Sequence, residues 1–111
     1  MKFKGNFSKV MRAFEVLNFL PCIESFEDRI IIQKSIFLLQ LKELDFGYTY
    51  FFSLRGPYST NLTEDMFAWW ESLPEDDKLK IRQIKAIRIA EFRKQKNKKF
   101  LEISQWDKKG A

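Results

Sequence analysis

Histidine is absent from this 111-residue chain, and cysteine occurs once, at Cys22. Those two facts exclude the His and Cys clusters of zinc and iron sites, the Ser-His and Cys-His nucleophile pairs, and any internal disulfide. Cys22, between Pro21 and Ile23, reads as a small packed residue rather than a reactive thiol. Glycine is scarce at four residues, and neither GxGxxG nor GxxxxGKS/T is present, so no nucleotide cradle is expected. Carboxylates alone leave only a magnesium site formally open. The expectation is no metal, no cofactor and no enzymatic activity. No apolar run approaches the ~18 residues of a membrane span, and the first five residues carry no signal-peptide pattern. The expected setting is therefore the cytoplasm, without a membrane partner.

What the chain does have is apolar surface. Hydrophobic residues make up 45%, with twelve phenylalanines and three tryptophans, which argues against disorder and for one packed domain over residues 1–106. Residues 107–111 are polar and read as a disordered tail.

The centre of the sequence is the stretch 29–59. Ile30, Phe37, Leu41 and Leu44 form one apolar stripe at helical spacing, and Ile32, Ile36 and Leu39 form a second beside it. A band this wide predicts a buried helix over about Glu27 to Asp45, with Phe37 and Leu41 in the core. Ser25 with Asp28 supplies the start and Gly47 the stop. Tyr48, Tyr50 and Phe52 then alternate with Thr49, Phe51 and Ser53 as a short strand, Gly56-Pro57 as a turn, and Ser59, Thr60 or Asn61 as the next cap. Before this stretch, Ser8 to about Leu20 predicts a helix that Pro21 ends. After it, Leu62, Met66, Trp69 and Leu73 predict a third core helix, with one of Trp69 and Trp70 largely buried. Its outer face is acidic, the wrong sign for a helix entering a DNA groove.

Residues 78–105 permit two readings. One is a short helix to about Lys85 followed by strands at Ala86–Arg93 and Lys99–Gln105, a basic hairpin. The other is a continuous helix to Lys94. Either way the charge is concentrated here: residues 1–77 carry a net −4 and residues 78–111 a net +9, within a total of +5. Lys85, Arg88, Arg93, Lys94, Lys96, Lys98 and Lys99 are the candidate nucleic-acid contacts, because clustered cations gain affinity by displacing counterions from phosphates. A solvated basic segment and a surface for an acidic protein are the alternatives.

The order Gln33-Lys34, Phe37-Leu38-Leu39-Gln40, Gly47, an aromatic strand and Gly56-Pro57-Tyr58-Ser59, with Leu62 and Asp65 beyond, resembles the YwgA-like family of small prokaryotic proteins. More distantly it is similar to the Panacea antitoxin domain. The resemblance covers about 40 residues. It implies a compact winged-helix-like domain with regulatory or protein-binding roles and no enzymatic activity.

Combined with the residue patterns, the fold expectation is mainly α with a small β component (α+β): a winged-helix-like single domain of three to four helices and a short hairpin. The functional expectation is a DNA-binding protein, a transcriptional regulator or accessory factor acting on duplex DNA through its basic segment. The alternative is an antitoxin-like or adaptor module that grips a protein partner at the Gly-Pro surface through Lys34, Arg55 and Tyr58. At that surface, burial of Tyr58 and pairing of Arg55 with Glu64 or Asp65 is the simpler, structural expectation. A homodimer is compatible with either function.

Overall fold

Polar side chains set the helix starts. In the computed structural model, which describes residues 2–110 and all of their side chains except those of 106–110, Asn6 accepts a hydrogen bond from the Lys9 N–H at 3.2 Å and opens α1 (Phe7–Val16). Ser25 accepts from the Asp28 N–H and opens α2 (Phe26–Leu41), and Ser59 accepts from the Leu62 N–H and opens α3 (Thr60–Ser72). Pro74 precedes α4 (Glu75–Gly110), whose first turn holds Glu75, Asp76 and Asp77, carboxylates that favour the positive end of a helix. Between α2 and α3, β1 (Phe51–Ser53) pairs antiparallel with β2 (Gly56–Tyr58), Phe51 opposite Tyr58 and Ser53 opposite Gly56. The protein is thus mainly helical with one small hairpin, about two-thirds of its residues lying in four helices.

The chain forms two compact units, one up to Ile81 and one from Arg82 onward. The core of the first unit is a single cluster. Phe7, Val10 and Phe14 of α1 meet Ile32 and Ile36 of α2 and Leu62, Met66 and Trp70 of α3. Each such burial contributes about 1.5–3 kcal/mol. Cys22 is buried, as expected, and Trp70 is buried while Trp69 is half-buried. Trp69 and Trp70 are thus not both exposed. No helix among the described residues is long and apolar enough to cross a membrane.

Several sequence expectations are corrected. The hairpin expected at Ala86–Gln105 is absent: those residues lie within α4, which is helical beyond the Lys94 limit of the other reading as well. The residues there carry long side chains that favour helix, and Lys94-Gln95-Lys96-Asn97-Lys98 contains no glycine or proline to turn a hairpin. Residues 107–110, read as a tail, have helical backbone, and Ala111 lies outside the described residues. The sheet is instead made by residues 51–58, with Leu54-Arg55 at its tip. Gly56 and Pro57 lie in β2 rather than in the turn, and Gly56 takes φ +104°, open to glycine and strained for other residues. α1 starts one residue before Ser8 and ends at Val16, well before Pro21, with Asn18 at φ 55°. α2 ends at Leu41, where Glu43 rather than Gly47 takes the left-handed position after the helix, at φ 69°.

Phe37 and Leu41 are not in the core. Leu41 is 65% exposed and Phe37 half-buried, while Ile32 and Ile36 hold the interior together with polar Asp28 and Gln33. Apolar residues surround α2, so periodicity cannot choose its buried face. The hydrogen bonds of its glutamines can.

Candidate functional site

Two glutamines on α2 take the part of a β-strand. A glutamine amide offers a donor and an acceptor side by side, the same pair that a backbone edge presents to a neighbouring strand. Gln40 donates from Nε2 to the Tyr48 carbonyl at 2.9 Å and accepts from the Tyr48 N–H at 3.1 Å. Seven residues earlier, Gln33 donates to the Ser59 carbonyl at 3.0 Å and accepts from the Ser59 N–H at 2.9 Å, with a second donation to Thr63 Oγ1 at 2.8 Å. The segment from Tyr48 to Ser59 is therefore clamped at both ends. Tyr50 adds a bond from its hydroxyl to the Gln33 carbonyl at 2.9 Å.

A third polar centre supports the clamp from behind. Asp65, 2% exposed, accepts from the N–H groups of Lys4 and Gly5 at 2.8 and 2.9 Å and from the Tyr48 hydroxyl at 2.7 Å. Burial, followed by the Asp65 hydrogen bond, pushes the Tyr48 phenol well above its ordinary value, and burial does the same to Tyr50. Among the described residues every fully buried side-chain nitrogen or oxygen has a partner, and no group of three or more Asp, Glu or Cys is arranged to hold a metal ion.

What the clamp presents is a finger with an apolar tip. Phe51, Phe52 and Leu54 are exposed, with Phe52 edge-on to Phe37 at 5.8 Å between centroids. Arg55 does not pair with Glu64 or Asp65. Its guanidinium lies over the Phe26 ring, 4.8 Å from the centroid, and Arg29 lies over the same ring at 5.7 Å and over Phe67 at 5.4 Å. Tyr58 is half-buried rather than buried, and it lines a groove of about 260 Å³ with Phe26, Arg29, Ile30 and Phe67. Lys34 is exposed, its Cε 3.9 Å from where a Cβ on Gly56 would sit. Lys34, Arg55 and Tyr58 thus lie on or beside one hairpin. Phe26, Arg29 and Phe67 were missed, although Phe26 and Arg29, three residues apart, had the spacing for one helix face.

The basic candidates lie together on α4. Arg93, Lys94, Lys96, Lys98 and Lys99 are all exposed, while Lys85 and Arg88 are partly buried. Successive helical residues turn by 100°, so these cations point in several directions around the axis rather than forming one stripe. Large apolar groups are interspersed: Ile84, Ile87, Phe92, Phe100, Leu101 and Ile103 are exposed on the same helix. α3 keeps its acidic outer surface, with Glu64 and Glu71 exposed.

No protein-family model, no curated protein and no solved structure matches this chain.

Proposed function

We propose that the protein is a non-enzymatic cytoplasmic DNA-binding protein, a regulator or accessory factor, that holds the backbone of duplex DNA with α4. The observation that carries this reading is the run 93–99, in which five of seven residues are exposed Lys or Arg on helical backbone. Cations spread around a helix can meet phosphates on both sides of a groove without reading bases. Binding of this kind is largely independent of sequence, and it agrees with the regulatory roles that the family resemblance implies. The acidic α3 is unsuited to act as a recognition helix, so the basic helix is the part that meets DNA.

A second reading is favoured by the exposed Ile84, Ile87, Phe92 and Phe100 on the same helix. Phosphate contact does not need them, whereas an acidic protein partner could bury them. In that case the protein is an antitoxin-like or adaptor module.

Titration of labelled duplex DNA at two salt concentrations separates these readings. Each engaged lysine should steepen the dependence of log K on log salt by about 0.9. Replacing Lys96, Lys98 and Lys99 together by glutamine should weaken binding to all sequences and flatten that slope by up to about 3, with little change in stability. Unchanged affinity in the triple variant, or no binding by the parent at low salt, transfers the function to a protein partner.

A further inference from the structure

One cation, Arg29, lines the groove beside the hairpin, and a second, Arg55, lies over the Phe26 ring of its wall. Arg29 and Arg55 both lie over Phe26, so positive charge gathers at this end of the groove and favours an anion there. Among the described residues neither has a carboxylate within 4.0 Å, the ion pair found there being Lys78 with Glu75. Arg29 donates one hydrogen bond, from Nη1 to the Ile23 carbonyl at 2.6 Å, which leaves most of its five N–H donors available. The polar groups lining the groove are already engaged: Gln33 is tied to Ser59 and Thr63, and the Thr63 hydroxyl donates to the Ser59 carbonyl at 3.2 Å. The groove's free binding capacity is therefore apolar wall plus unneutralised positive charge.

From this combination we infer that the groove is a docking site for a peptide segment of a partner protein, one that places a carboxylate next to a leucine-sized or phenylalanine-sized side chain. The apolar side chain enters between Tyr58 and Phe67, and the carboxylate pairs with Arg29, with the positive charge of Arg55 beside the same wall adding to the attraction. Size supports a side chain over a whole metabolite, since about 260 Å³ falls below the ~300–1,000 Å³ of ordinary small-molecule pockets. Charge selects an acidic segment, because a carboxylate at Arg29 gains charge-assisted hydrogen bonds from donors that carry no acid partner. A single-stranded nucleic acid would use the same cations, but a phenylalanine face covered by a guanidinium is not free to stack a base. The site does not depend on α4, so it can stand or fall apart from DNA binding.

The test uses the full isotope-labelled chain, titrated by NMR with the capped pentapeptide Glu-Leu-Asp-Phe-Glu and with its neutral counterpart Gln-Leu-Asn-Phe-Gln. The acidic peptide should shift the amides of Phe26, Arg29, Tyr58 and Phe67 saturably, and the neutral one should bind about tenfold more weakly or worse. Arg55→Gln, on an exposed side chain that leaves the Arg29 bond to Ile23 intact, should weaken the acidic peptide by about the same factor while the amide spectrum stays folded. Phe67→Ala should weaken both peptides. Equal binding of the two peptides, no saturable shift at these amides, or saturation of the same amides by a single-stranded oligothymidylate in preference to the peptide would each overturn the assignment. The Lys96, Lys98 and Lys99 triple variant should bind the peptide normally.

Discussion

Asp65 concentrates three hydrogen bonds on one carboxylate, so it is the residue whose loss should be felt most. Asp65→Ala leaves the Lys4 and Gly5 N–H groups and the Tyr48 hydroxyl without their acceptor. The Tyr48 hydroxyl is buried and its loss of an acceptor costs about 1–3 kcal/mol, while the partly buried N–H groups can turn to water, so a loss of about 2 kcal/mol is expected, read as a lower urea midpoint at unchanged slope. Gly5 is constrained on its other side as well. A Cβ there would come within 2.5 Å of the Tyr48 ring, so Gly5→Ala should destabilise by about 1–3 kcal/mol through overlap. Tyr48 also links folding to alkaline pH. Its phenol is raised in the folded state from an ordinary value of 10.0, so the neutral form is the one the fold favours. That contribution is fully present below the ordinary value and is lost as pH rises through and beyond it. Stability should therefore fall in alkaline solution, and Tyr48→Phe should remove part of the fall. Tyr50 has the same sign, so phenolate absorbance for these two side chains should develop only with unfolding.

At the scale of elements, the hydrogen bonds of α2 outweigh its apolar pattern. Ile36→Ala should cost about 2–5 kcal/mol in chemical denaturation, whereas Leu41→Ala, on a side chain left 65% exposed, should stay within about 0.5 kcal/mol. From apolar spacing alone both look like core residues. The helix caps at Ser25 and Ser59 were legible because capping is local: one side chain meets one N–H three residues away. The buried face of α2 was not legible, because Ile30, Ile31, Ile32, Phe37 and Leu38 cover most directions around the axis. Gln33 and Gln40, two turns apart within that apolar band, were the available signal, and their partners lie eight to thirty residues away. The basic segment shows the opposite limit. Its residues were identified as candidate contacts from charge alone, but its backbone was given a hairpin, since the alternation of Ile87 and Ile89 with Arg88 and Ala90 suits a strand as well as a helix turn. The aromatic-arginine groove depends on α2, β2 and α3 meeting, which no single window of sequence contains.

For the molecule as a whole, the absence of histidine fixes the electrostatics across the neutral range. No side chain of ordinary pKa changes charge between about pH 6 and 8, so the DNA binding proposed for α4 should respond strongly to salt and hardly at all to pH over that interval. Fluorescence anisotropy on the same duplex in matched buffers would check this. The paired clamps carry a different whole-chain consequence. Because Gln40 fastens Tyr48 and Gln33 fastens Ser59, the segment between them is a loop whose ends are held together by bonds that do not pass through its tip. Lengthening such a loop costs only closure entropy, about 0.6 kcal/mol for each doubling, and Leu54 at its tip is fully exposed. Extra residues inserted between Leu54 and Arg55 should leave the fold standing, making the hairpin tip a graft point at which a foreign sequence can interrupt the chain without dividing it.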